Sequence, residues 1–287
     1  MRHVVHGHVA LFLALATLAH GAERDVTLPD LLDSCRFAVI GDSGTGGESQ
    51  YRVGARMAAY RERFRFDLVL MLGDNVYGSE SAADMARKFE RPYRALLDAG
   101  VEFRAALGNH DDPNQAFYRP FNMNGARYYT YRCGRQSVRF FVLDSNYMSP
   151  KQVEWLRDAL RASSDRWKIA YFHHPLYSTG LHGSSVELRK TLEPLFIEHG
   201  VNVVFSGHEH FYQRLKPQHG VRYFVSGGAG KLRPGNIGPD PPITAKGYDR
   251  GHHFMVVEIA GDALFFQVIA DDGGTVDAGT LHWQRPH

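Results

Sequence analysis

Apolar residues in this chain collect in short unbroken runs: RFAVI at 36–40, DLVLML at 67–72, VEFRAAL at 101–107, SVRFFVL at 137–143, WKIAYF at 167–172 and VNVVF at 201–205. Runs of this length, rich in β-branched and aromatic side chains, predict strands buried on both faces. Several of the stretches between them carry helical spacing, which predicts helices over 51–64, 83–97, 150–160 and 186–198. Met85, Phe89, Tyr93, Leu96 and Leu97 mark the period of the second, and Ser149 before Pro150 supplies cap and first-turn proline for the third. Strand and helix in alternation predict an α/β core with some parallel strands.

The last third changes character. VRYFVS (221–226), HHFMVVEI (252–259) and ALFFQVI (263–269) read as strands without intervening helices, and AGD between the last two suits a hairpin. The segment 227–251, GGAGKLRPGNIGPDPPITAKGYDRG, reads as a long structureless loop, a lid or a mobile segment. There is no internal repeat, low-complexity tract or linker composition, so a single two-sheet α/β domain is expected over 23–287. Residues 1–22 have one Arg near the start, an apolar core from Val9 to Ala19 and small residues before Glu23, the pattern of a cleaved secretory signal. The mature protein is therefore expected to be secreted or periplasmic and not held in a membrane.

Composition removes some function classes. Lys plus Arg number 33 against 31 Asp plus Glu, so no bulk charge favours nucleic acid or an anionic membrane. The two cysteines, Cys35 and Cys133, read equally well as an exported disulfide or as two buried thiols. Histidine is the one excess, at sixteen residues, and it is the commonest metal ligand.

The residues just beyond each strand carry the chemistry. The runs end in GDSG (Asp42), GDNVY (Asp74, Tyr77), GNHD (Asn109, His110), HHP (His173, His174) and GHEH (His208, His210). Open α/β sheets place their sites at this edge. Carboxylate and amide oxygens suit hard cations, imidazole suits iron, zinc or manganese, and tyrosinate is a strong ferric ligand. A carboxylate has two oxygens and can bridge two ions, the device that polarises a phosphoryl group while preparing water to attack it. The glycine-rich GDSGTGG turn is not a nucleotide cradle, because it lacks the Lys-Ser/Thr of a P-loop and the spacing of a dinucleotide fingerprint.

In this order the five motifs resemble those of the metallophosphoesterase superfamily, over Arg36 to about Gly230. The general family has Asp-x-His in its first motif, whereas Gly44 stands at the His position here. The purple acid phosphatase branch shares that departure and places Tyr three residues after the second Asp, as Tyr77 follows Asp74. The size is similar to the small, tartrate-resistant type, without the extra N-terminal β domain of the large plant enzymes. The resemblance implies a two-sheet α-β-β-α sandwich with metal ligands at strand carboxyl ends. It also implies an acid phosphatase that cleaves phosphomonoesters through a metal-bound hydroxide. Asp42, Tyr77 and His210 would hold Fe(III), Asp74 would bridge, and Asn109, His173 and His208 would hold Fe(II), Zn(II) or Mn(II). His110 and His182 would contact the phosphate and protonate the leaving alcohol, while His174 lies outside the implied site. Asp111 and Glu209 would orient ligands or lie on the surface, and Arg214 would pair locally with a carboxylate. A phosphodiesterase on the same metals, or a metal- or phosphate-binding protein without turnover, are the competing expectations.

Overall fold

The computed structural model describes residue 1 and residues 28–134, 136–237 and 242–284. Apart from Met1, the predicted signal lies outside the described residues. In chain order the strands are β1 (Cys35–Ile40), β2 (Leu68–Met71), β3 (Glu102–Ala105), β4 (Tyr129–Arg132), β5 (Val138–Val142), β6 (Trp167–Tyr171), β7 (Val203–Ser206), β8 (Tyr212–Leu215), β9 (Arg222–Ser226), β10 (Thr244–Tyr248), β11 (His253–Ala260), β12 (Ala263–Ala270) and β13 (Thr275–His282). The α-helices are α1 (Glu48–Arg61), α2 (Ala82–Met85), α3 (Arg94–Asp98), α4 (Pro150–Ala162) and α5 (Val186–Glu198). One sheet has the order β13-β12-β11-β1-β2-β3 and the other β10-β8-β9-β7-β6-β5-β4.

Alternation along the strands builds the layers. Phe37 and Val39 of β1 face Phe140, Ile169 and Phe205 from the other sheet, forming the core between the sheets. Ala38 and Ile40 point the opposite way, onto Val53 and Met57 of α1. On the far side Phe141 and Ala170 pack against Leu156 and Leu160 of α4 and Leu192 and Phe196 of α5. Strands packed on both faces must be apolar on both, which is why they read as continuous runs. The result is the expected α-β-β-α sandwich. β1, β2 and β3 are parallel, as are β5, β6, β7 and β9, so the ligand-bearing ends of both sheets lie on one edge.

Two expectations need correction, and one question left open by the sequence has an answer. The helix expected over 83–97 is broken into α2, a π turn at Ala86–Glu90 and α3. Pro92 supplies no N–H and its ring crowds the preceding turn, which favours a break there. The segment 227–251 is not structureless, since β10 pairs antiparallel with β8 inside it. Its sequence, TAKGY, belongs to an edge strand whose side chains are mostly exposed, so no apolar alternation marks it. The polar strand β13 escapes notice for the same reason. The two cysteines are joined, with Cα atoms 5.8 Å apart, so the start of β1 in one sheet is tied to the end of β4 in the other.

Candidate metal centre

Each strand end must turn sharply to aim a short side chain across the edge, and the backbone records it. Asp42, Asp74 and His208 adopt φ of 54°, 52° and 69°, the left-handed region that non-glycine residues rarely enter. The first two loops are pressed together: Gly44 N–H donates to the Asp74 carbonyl (3.3 Å) and Tyr77 N–H to the Gly44 carbonyl (2.9 Å). A Cβ at Gly44 would lie 1.9 Å from the Asn75 carbonyl oxygen, so this position has no room for a side chain. Gly108 is similarly constrained, its Cβ falling 2.2 Å from the Asp74 carboxylate.

Two groups of ligand-type atoms result. In the first, the Tyr77 hydroxyl donates to Asp42 Oδ1 at 3.2 Å and lies 3.5 Å from His210 Nε2, which is 3.4 Å from Asp42 Oδ1. In the second, His173 Nε2 lies 3.0 Å from Asn109 Oδ1, 3.1 Å from His208 Nδ1 and 3.4 Å from Asp74 Oδ1. His173 donates Nδ1–H to the Leu72 carbonyl at 3.0 Å, which leaves Nε2 as a lone-pair nitrogen facing the group. Lone pairs converging in this way repel one another unless a cation lies among them. Asp74 interacts with both Tyr77 and His173 and so joins the two groups. One atom each from Asp42, Asp74 and His173 lie within 4.8 Å of one another, as do one each from His173, His174 and His208. The donor set thus fits two cations. His174, set aside on sequence, is within reach of the second.

Burial governs the electrostatics. It pushes the His208 imidazole down to about 2, helped by His173 and His174, and pushes His210 down to about 4, helped by Arg233 and Lys231. Both rings stay neutral, the ligating form. Burial and the carboxylates of Asp42 and Asp74 hold the Tyr77 proton on far above its ordinary range. Burial also raises Asp42 well above the carboxylate range. Burial opposes ionisation of Asp74 too, but His173, the His110 N–H and Tyr77 outweigh it and hold that carboxyl low.

The two expected histidines flank these groups differently. His110 is exposed, its ring 5.0 Å from that of Tyr77, while its N–H donates to Asp74 at 3.0 Å. His182 stacks 4.4 Å from the His208 ring, with Nδ1 3.4 Å from Glu209 Oε2. Glu209 is wholly buried and accepts from the N–H groups of His182 (2.8 Å) and Gly183 (3.0 Å) and from Asn236 (2.9 Å). Asp111 ties the second and third loops together, accepting from Val76 N–H at 3.0 Å, Gly108 N–H at 2.7 Å and the Asn75 amide at 3.0 Å. Both acids therefore act within the loops and not as surface charge. Arg214 does meet a carboxylate, but it is Asp277 of β13, at 2.8 Å.

Sequence reasoning missed four contributors. The buried Lys88 ammonium donates to the Tyr77 and Ser79 carbonyls and fixes the Tyr77 loop. Lys231 and Arg233 reach the first group from the segment after β9. Beside Asn109 and His174 a cavity of about 550 Å³ opens, walled by Arg127, Asp144, Tyr147 and the start of α5. No local pattern announces these residues, because each acts through a loop distant in sequence.

Known proteins resemble this chain along most of its length. The calcineurin-like phosphoesterase family profile matches residues 35–212. Purple acid phosphatase 17 of Arabidopsis thaliana is 26% identical over 304 residues, covering 92% of this chain and 90% of that protein. Tartrate-resistant acid phosphatase type 5 of Homo sapiens is 26% identical over 252 residues, covering 72% of this chain and 78% of that protein. Among solved structures, a purple acid phosphatase from yellow lupin seeds superposes with a TM-score of 0.73 at 17% identity, over 89% of this chain and 55% of that one. The GAP50 anchor of the Plasmodium inner membrane complex gives 0.74 at 16% identity, over 88% and 90%. At such identities these two structures speak to the fold alone.

Proposed function

The chain belongs to the calcineurin-like phosphoesterase family, and on that footing we propose that it is an exported, dinuclear purple acid phosphatase that hydrolyses phosphomonoesters. The observation that carries this reading is Tyr77 set against Asp42 and His210, with Asp74 joining that group to His173. Asp42, Tyr77 and His210 would hold ferric iron, Asp74 would bridge, and Asn109, His173 and His208 would hold divalent iron, zinc or manganese. Tyrosinate is a strong ferric ligand, so the place of Tyr77 beside Asp42 and His210 favours a trivalent occupant. When bound, the two cations supply polarisation of the phosphoryl oxygens and acidification of the attacking water.

The protein's own groups do the rest. His110 and His182 flank the position a phosphate would take, where imidazolium neutralises phosphate charge and gives a proton to the departing alcohol oxygen. Glu209 holds the His182 loop and sets Nδ1 toward its carboxylate, leaving Nε2 toward Arg233. The Cys35–Cys133 disulfide supports export, because such a bond persists in an oxidising compartment.

Metal analysis with a visible spectrum tests the reading. Protein purified with its metals is expected to contain iron and to absorb broadly in the visible, and Tyr77→Phe is expected to lose that band. Active, iron-free, colourless protein would overturn the ferric assignment. His208→Ala should lower turnover of nitrophenyl phosphate by about 100-fold or more, and full activity in that variant would refute the site.

A further inference from the structure

A phosphoester held at the proposed metal centre must place its alcohol part beside it, and the cavity of about 550 Å³ next to Asn109 and His174 adjoins that centre. Its size suits a small organic group. Arg127 and the loop after β5, Asp144 to Tyr147, wall it together with the start of α5. Two oxygens buried in this wall lack hydrogen-bond donors. Asp144 Oδ1 accepts the Asn146 N–H at 3.0 Å, while Oδ2 lies 3.3 Å from Arg127 Nη1 yet receives no hydrogen bond from any described residue. The Asn146 amide nitrogen donates to the Leu107 and Gly108 carbonyls at 3.2 and 3.1 Å, which leaves its Oδ1 buried and without a partner among the described residues. Buried acceptors of this kind are unfavourable, and a hydroxyl that donates to them removes the penalty. The Tyr147 ring, 60% exposed and 5.2 Å from the Arg127 guanidinium, adds an apolar face to the cavity.

Charge narrows the occupant. Asp144 and Arg127 balance each other, and cations are expected beyond Asn109, so an ammonium group is repelled overall. A second anion would meet the two unpartnered oxygens and is disfavoured as well. Neutral hydroxyl groups match both oxygens, and Arg127 is able to donate to the hydroxyl oxygens in turn. We propose that this cavity receives the leaving group and that Asp144 and Asn146 select one with neighbouring hydroxyls, so that the preferred substrates are monophosphates of sugars or other polyols. The inference rests on the proposed phosphatase function and names its substrate class. Arg127, with 39% of its side chain exposed, is the part of the wall that yields to a ligand. In the reaction water adds to phosphorus and the ester P–O bond breaks, its electron pair passing to the polyol oxygen. That oxygen takes a proton from imidazolium, which the attacking water replaces, and the products are the free polyol and inorganic phosphate.

Glycerol 3-phosphate and propyl phosphate differ only by two hydroxyls, and the test compares kcat/KM of metal-loaded protein on the two. Wild type is expected to prefer the glycerol ester at least about tenfold, and Asp144→Asn and Asn146→Leu are each expected to lose most of that preference. Equal values for the two esters in wild type, or a preference kept intact in both variants, would overturn the proposal. Faster cleavage of ethanolamine phosphate or of 3-phosphoglycerate than of glycerol 3-phosphate would give the cavity to a cation or to a carboxylate and refute it. Calorimetry gives a reading independent of turnover and needs only the wild type. It should bind 3,4-dihydroxybutylphosphonate, which cannot be hydrolysed, at least about tenfold more tightly than butylphosphonate, and equal or weaker binding would overturn the proposal. Wild type that cleaves nitrophenyl phosphate but shows no preference for the glycerol ester defeats this inference alone. Wild type that cleaves no phosphoester defeats the phosphatase reading itself, and this inference with it.

Discussion

Asp42, Asp74 and His208 hold left-handed backbone at the three places where the proposed metals would be gripped. Strain of this kind costs about 1–3 kcal/mol per residue and persists only where the surroundings enforce it. Here the enforcement is visible, since His208 N–H donates to Asp42 at 2.9 Å and His110 N–H to Asp74 at 3.0 Å. Glu209 is the residue whose removal tests how far position alone matters. Glu209→Ala frees the His182 loop from its buried anchor and is expected to lower kcat about 10- to 100-fold, with Glu209→Gln less affected. Steady-state kinetics for both variants checks this, and wild-type kcat in each would refute the positioning role. His253 makes a different, pH-dependent contribution. Burial pushes its imidazole from the ordinary 6.5 down to about 3. The unfolded chain therefore binds a proton that the fold refuses, so this contribution is complete above about pH 6.5 and declines as pH falls toward 3. The loss is on the order of 1.4 kcal/mol per pH unit within that window. Denaturant midpoints at pH 7 and pH 5 should show a smaller acid loss for His253→Gln than for wild type.

At the scale of elements, the contact of the first loop with the second decides the site. Gly44 packs so closely on Asn75 that the first loop can contribute only Asp42, and Tyr77 arrives from the second loop. Gly44→Ala must separate the loops, with an expected cost of about 1–3 kcal/mol. Its distinguishing sign would be loss or shift of the visible band, because Tyr77 would no longer reach its place; an unchanged spectrum would contradict this account. The break at Pro92 serves the same region. It lets the π turn carry Lys88 inward to the Tyr77 loop, where an uninterrupted amphipathic helix was expected. The helical period was legible in Met85 and Phe89, but the interruption depends on where the chain must deliver one lysine.

At the scale of the molecule, the disulfide is the only side-chain cross-link between sheets among the described residues. It closes a loop of 98 residues, and removing such a bond typically costs about 2–5 kcal/mol. The Cys35→Ser, Cys133→Ser variant is expected to unfold at correspondingly lower denaturant yet to keep its metal content, because Cys35 starts β1 and Asp42 lies beyond its far end. Loss of metal along with stability would show the two ends of β1 to be coupled. Much of the sandwich was legible because strands buried on both faces need unbroken apolar runs. β4, β8, β10 and β13 were not predicted, since a short, partly polar or edge strand takes its place from its partner's hydrogen bonds.

The sequence by itself determined which residue types stand beyond each buried strand, and so the proposed ligands Asp42, Asp74, Tyr77, Asn109, His173, His208 and His210. A strand's direction and end are local properties, and each ligand lies within six residues of one. Tertiary structure alone decided that Cys35 meets Cys133, that Glu209 is buried beneath His182, and that Lys231 and Arg233 reach the Tyr77 and His182 side chains. Those relations hold between segments far apart in the chain. They depend on two sheets packing face to face, and no periodicity or motif within either partner encodes the distance between them.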